Sequence, residues 1–208
     1  MDSPALGLYV AASLALIATP GQDMLYVISR SLAQGRLAGV ASAVGVCIGI
    51  LVHTALAAFG MGAVLRASPA LFLVLKLAGA AYLVFLGVRM LLAPGASALP
   101  GAARARASLA TLVWQGVVSN VSNPKIVLFF VAFLPQFVDP ASAHATRDMV
   151  FLGVLYAVLA LPVKSAVGIA AGTFSERILR SRRAFAWMSR AGGAILVALG
   201  ARLAAGRP

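Results

Sequence analysis

The chain has 208 residues, 62% of them hydrophobic and 11% charged, and 17 Lys and Arg against 5 Asp and Glu give a formal charge of +12. Soluble domains carry roughly a quarter charged residues, so an ordinary water-soluble domain is excluded. The basic residues fall mostly in short gaps between apolar runs, which argues against nucleic acid and for membrane loops facing anionic lipid.

Six apolar runs reach the roughly 20 residues that a helix needs to cross a bilayer. In chain order they cover 5–28, 37–65, 71–92, 109–138, 149–174 and 185–205. Only Asp2 is charged ahead of the first run, unlike the basic start of a cleaved signal, so this run is read as a span. Asp23 is its one charge, and the second run holds no Lys, Arg, Asp or Glu. Lys76 and Arg89 bracket the third run, and Arg190 and Arg202 the sixth; such long side chains snorkel to the interface. Lys125 lies in the fourth run and Lys164 in the fifth. The single cysteine, Cys47, can form no internal disulfide and is read as buried packing. His53 follows Gly45 and Gly49 at four-residue intervals. That row favours close helix approach with a hydrogen bond to the imidazole, proton relay being the alternative. Gly168 and Gly172 form a similar row in the fifth run.

Loop charge alternates. The first loop carries Arg30 and Arg36, and the third Arg104 and Arg106 beside Arg89. The fifth has Arg177, Arg180, Arg182 and Arg183, whereas the second has Arg66 and the fourth Asp139, Arg147 and Asp148. Odd loops are therefore expected in the cytoplasm and both termini outside, with Arg207 a mild exception. No loop is long enough to fold separately, so a single transmembrane domain over residues 1–208 is expected.

Residues 78–89 match 191–202 at eight of twelve positions. Read as a true repeat, spans 1–3 and 4–6 form two halves, and three spans per half places them in opposite orientations. The expected fold is thus an all-α integral membrane protein of six transmembrane helices in two inverted three-helix repeats. Helices 1 and 4 are each interrupted by a proline motif, Thr19-Pro20-Gly21-Gln22-Asp23 and Asn120-Val121-Ser122-Asn123-Pro124-Lys125. Proline lacks an N–H and clashes with the carbonyl four residues back. Pro20 should free the carbonyl of Leu16, and Pro124 that of Asn120. Gly21 adds backbone freedom at the first break.

Unpaired backbone survives in hydrocarbon only beside protein or a polar cavity, and paired broken helices point to a transporter's binding site. Asp23 is the only acid inside any span; such a residue is functional by default. It is expected to bind a substrate ammonium or to take up a proton, the alternative being a structural ion pair with Lys125. Lys125 beside Asn123 either receives a carboxylate or neutralises a freed helix end. Lys164, after Pro162, lies too deep to snorkel and is functional or paired. Gln115, Asn120 and Asn123 either line the path or join helices.

The stretch from Thr19 to Arg30, with Gly35 and Gly39 following, resembles the first-span signature of the LysE/RhtB family of amino-acid exporters. Asn123-Pro124-Lys125, leading to Phe130 and Phe133-Leu134-Pro135-Gln136-Phe137, is similar to that family's fourth-span motif, and Lys76–Leu83 to its third span. Length and span count match across the whole chain. Gln22 departs from the pattern, standing where many relatives have proline. The resemblance implies a multi-pass protein of the bacterial inner membrane that exports amino acids or close derivatives, driven by the proton gradient. It carries family importance to Pro20, Asp23, Asn123, Pro124 and Lys125, and it implies no cofactor; with no loop long enough for a soluble catalytic module, no enzymatic activity is expected.

Other classes fit less well. A metal-ion exporter needs several intramembrane carboxylates or histidines, and only Asp23 and His53 are available. A membrane redox enzyme needs two closely spaced cysteines. A structural membrane protein would leave Asp23, Lys125 and Lys164 to pair with one another. One acid among several lysines favours zwitterionic over dicationic cargo, moved by alternating access between the two halves. A homodimer through the glycine rows is one expectation for so small a chain.

Overall fold

Apolar runs in lipid become helices because a helix satisfies every backbone N–H and C=O within its own segment. The computed structural model describes residues 3–67, 69–92, 106–139, 142–173 and 182–205. Among them the regular structure is entirely helical. Helices α1 (Ser3–Ala18) and α2 (Gln22–Gln34) occupy the first apolar run and meet at a 48° bend. Next come α3 (Arg36–Ala67) and α4 (Pro69–Leu92). A second bent pair, with an angle of 54°, joins α5 (Leu109–Val121) to α6 (Pro124–Leu128). The path of α6 continues through a π turn, Phe129–Phe133, and a 3-10 turn, Leu134–Phe137. Helices α7 (Ala145–Thr173) and α8 (Arg182–Ala205) complete the chain.

By length and composition α3 and α7 can each cross a membrane, and the number rises to four if each bent pair is one span. Helices α4 and α8, of 24 residues each, occupy the third and sixth runs. Phe174, Arg104, Arg177, Arg180 and Arg207, on which the span and loop-charge expectations partly rest, lie outside the described residues.

Close approach of backbones organises the bundle. Helix α3 runs along α5 and α7, while α4 runs along α8. Between helices in lipid there is little hydrophobic drive, so small residues that admit close van der Waals contact take over. Gly45 sits against the backbone carbonyl of Val113, and a Cβ on Gly49 would lie 2.7 Å from that of Asn120. A Cβ on Gly116 would lie 2.7 Å from the Ser42 carbonyl oxygen, and one on Gly39 would lie 2.9 Å from the Gly168 Cα. In the other pair, a Cβ on Gly87 would approach the Gly193 carbonyl to 2.6 Å, and one on Gly200 that of Ala80 to 2.8 Å. Gly35 is the one residue in a left-handed conformation among those described, with φ +89°. It lets α3 start directly after α2, at an angle that a side chain would resist.

An aromatic core fills the space around the π turn. Phe129 lies 4.9 Å from the Tyr156 ring, and Tyr9 lies 5.2 Å from Phe137 with its hydroxyl donating to the Leu152 carbonyl at 2.8 Å. The outer surface is also apolar: Phe59 is 73% exposed and Trp114 66%, as expected where the outside solvent is lipid.

The tight α3–α5 contact makes a prediction. Overpacking costs about 1–3 kcal/mol, so Gly116→Leu should lower the thermal unfolding midpoint of detergent-purified protein by several degrees. Gly7→Ala, at a glycine with open space around it, should leave the midpoint unchanged.

Candidate functional site

Both breaks follow from local sequence. Thr19 still donates its N–H to the Ala15 carbonyl, and Pro20 then ends α1. Gly21, in extended backbone, precedes the first turn of α2, which carries Asp23. A carboxylate there is favoured by the positive end of the helix dipole. At the second break Asn123 caps α6, its Oδ1 accepting the Lys125 backbone N–H at 3.1 Å, and Pro124 takes the first helical position. Proline at that position costs no hydrogen bond.

Each freed carbonyl finds a cross-helix donor. Lys125 Nζ donates to the carbonyls of Leu16 and Thr19, both at 3.2 Å, and so covers the C-terminal end of α1 with a cation. Gly21 leaves room for it, since a Cβ there would lie 3.2 Å from Nζ. The Asn120 carbonyl meets His53 Nε2 at 3.3 Å and also accepts the Asn123 N–H at 2.9 Å. The His53 ring rests 5.8 Å from that of Phe130.

Asp23 therefore does not pair with Lys125, which is occupied by backbone. The cation within salt-bridge distance of Asp23 is Lys164 of α7, with Nζ 3.9 Å from Oδ2. That oxygen also accepts a 2.8 Å hydrogen bond from Asn120 Nδ2. Asp23 is 2% exposed and Lys164 5%. At the two breaks, Asp23 Oδ1, Asn120 Oδ1 and Asn123 Nδ2 are buried without a hydrogen-bond partner among the described residues. Buried polar atoms are almost always paired, so three orphans on neighbouring residues make this junction the candidate site. Gln22 ties the two breaks together from outside, its Nε2 donating to the Ser119 carbonyl at 3.0 Å.

Asp23, Asn120, Asn123, Pro20, Gly21, Pro124, Lys125, Lys164 and His53 thus come together at the junction of the two bends. Gln115 does not join them: its Oε1 accepts a 2.7 Å hydrogen bond from Arg30 Nη2, further along α2. Sequence reasoning missed Arg30 as a buried group, having read it as loop charge. The signal available was its place in α2 on the same face as Asp23, seven residues on. Among the described residues no three His, Cys, Asp or Glu form a metal-ligand set.

Hydrogen bonds from charged donors contribute about 1.5–3 kcal/mol each. Lys125→Met keeps the stem but removes the donor, and should lower the thermal unfolding midpoint clearly more than the same change at an exposed lysine or arginine such as Arg89. An unchanged midpoint would mean that the carbonyls of Leu16 and Thr19 do not depend on the ammonium.

The chain matches the LysE type translocator family over residues 14–207. It is 32% identical to an uncharacterized membrane protein of Pseudomonas aeruginosa, over 97% of each chain. It is 30% identical to a homoserine/homoserine lactone efflux protein of Salmonella typhimurium, over 96% of this chain and 95% of that one. Identity to a leucine efflux protein of Enterobacter sp. is 28%, over 94% and 93%. No solved structure matches. The match takes in both bends and every residue of the site, and the chain belongs to the LysE type translocator family.

Proposed function

We propose that this protein exports zwitterionic amino acids or close derivatives across the bacterial inner membrane, in exchange for protons, by alternating access to the site between its bent helices. The observation that carries this reading is the buried Asp23–Lys164 pair, held at 3.9 Å beside three unpartnered polar atoms. Two relatives named for efflux of leucine and of homoserine or its lactone support the class of cargo.

The chemistry fits a zwitterion. Its ammonium replaces Lys164 at Asp23, and its carboxylate takes the Lys164 ammonium, with Asn123 Nδ2 as a further donor. Each charge keeps an opposite partner and the net charge of the site is unchanged, so loading avoids the cost of an unpaired charge in low dielectric. A dicationic cargo would bring one charge with no acid to meet it. Protonation of Asp23 from the outer side removes its hold on the ammonium, releases cargo and resets the site.

The moving parts in this reading are two inverted three-helix halves within a six-span bundle, odd loops in the cytoplasm and both termini outside. The α4–α8 contact supports the symmetry. In the internal repeat Ala80 aligns with Gly193 and Gly87 with Gly200. The close approach of Gly87 to the Gly193 carbonyl thus exchanges with that of Gly200 to the Ala80 carbonyl, as a pseudo-two-fold axis requires.

Efflux of a panel of preloaded amino acids, from cells with and without the protein, tests the proposal. Faster loss of one or more zwitterionic members is expected, collapsing with a protonophore and falling at least about tenfold in Asp23→Asn, the loss of one ionic contact in low dielectric. An Asp23→Asn protein that reaches the membrane at wild-type levels and exports at full rate would sink it.

A further inference from the structure

Arg30 is a buried cation that the central site does not use. It lies on α2 seven residues after Asp23, about 10 Å along the helix axis. It is 7% exposed, and its guanidinium carbon sits 5.9 Å from the centroid of the Tyr26 ring. Nη2 donates to Gln115 Oε1 at 2.7 Å, but that acceptor is neutral. Among the described residues no carboxylate lies within salt-bridge distance of it. A guanidinium is always charged and carries five N–H donors, and a buried charge is normally paired.

A second observation points the same way. Ser42 Oγ is fully buried without a hydrogen-bond partner among the described residues. Ser42 stands beside Tyr26 and packs its carbonyl against Gly116, the neighbour of Gln115. The Tyr26 hydroxyl donates to the Leu112 carbonyl at 2.6 Å, which leaves its oxygen as an acceptor that Ser42 and Arg30 both approach. Beyond that one oxygen, Arg30 and its neighbours offer donors: the guanidinium fork, the Gln115 amide nitrogen and the Ser42 hydroxyl. Planar donors of this kind suit a carboxylate, bound bidentately.

We propose that Arg30, Gln115 and Ser42 form a carboxylate-binding subsite between the helix break and the Gly35 turn, where the carboxylate of an amino acid docks before its ammonium reaches Asp23. The subsite rests on the export reading for its natural ligand, though not for its chemistry. The route then runs along one face of α2, from a cation that takes the carboxylate to an acid that takes the amine.

Binding of 4-methylpentanoate, which has a carboxylate and no amine, to the detergent-purified protein tests this by calorimetry, with leucinamide as the amine-only probe. The wild type should bind 4-methylpentanoate, and Arg30→Gln should weaken that binding about tenfold or more. Gln115→Glu sets an internal carboxylate against Arg30; it should abolish 4-methylpentanoate binding while keeping or raising the thermal midpoint, so the loss is not unfolding. Leucinamide binding should persist in both variants. Equal 4-methylpentanoate affinity in wild type and Gln115→Glu, or none in the wild type, overturns the subsite. If amino acids leave cells yet carboxylate binding ignores Arg30, the subsite falls and the export reading stands. If binding depends on Arg30 but no amino acid is exported, the reverse holds.

Discussion

A proline inside a membrane helix leaves a carbonyl that lipid cannot satisfy, and the ammonium of Lys125 takes the one at Leu16 together with that of Thr19. The rest of the site depends on this contact. It joins the end of α1 to the start of α6, and so sets the first break against the second. Asp23, one residue into α2, then faces Asn120 at the end of α5. At the second break His53 of α3 serves the Asn120 carbonyl, fixing the residue whose side chain holds Asp23. Two local deficits in backbone hydrogen bonding thus become tertiary links between distant parts of the chain.

The buried cations separate into different tasks on this basis. Lys125 stabilises backbone, and its donors point at carbonyls. Lys164 faces the carboxylate at 3.9 Å, too far for a direct hydrogen bond. A buried ion pair of such loose geometry is weak evidence for stability, because desolvation offsets most of the attraction. In the proposed export cycle it is the pair that opens to admit opposite charges. Among the described residues Arg30 has no carboxylate within salt-bridge distance and donates to the neutral Gln115 amide. Along α2 the charges therefore run from a cation held by a neutral amide to a loosely paired acid, ending where the helix breaks.

Much of this was legible in the sequence, for stated physical reasons. Proline geometry located the carbonyls of Leu16 and Asn120 as groups in need of donors, and the Gly45–Gly49–His53 row placed the imidazole on the face of α3 that meets α5. Lys125 is the nearer cation in motif terms, so the alternative reading of Asp23 as a structural ion pair named it as the partner. Lys164 lies far along the chain, and no local pattern reports which side chains of α2 and α7 meet. The placement of Gln115 was open to correction from sequence. Five residues from Asn120, at 3.6 per turn, it lies well round the helix from it, whereas Leu112, Gly116 and Asn120 recur every four and form the buried face. The π turn over Phe129–Phe133 gave no sign, because a run of apolar residues reads the same in either kind of helix.

The central claim is that Asp23 and Lys164 form a working site and not a strut. The double variant Asp23→Asn/Lys164→Met separates the two, since it removes both charges together and leaves neither buried alone. Each single change should cost roughly 3 kcal/mol or more by stranding its partner, and the double variant should recover a thermal midpoint near that of the wild type. The account predicts that this restored protein exports no amino acid. A double variant that folds like the wild type and exports at the wild-type rate would contradict it.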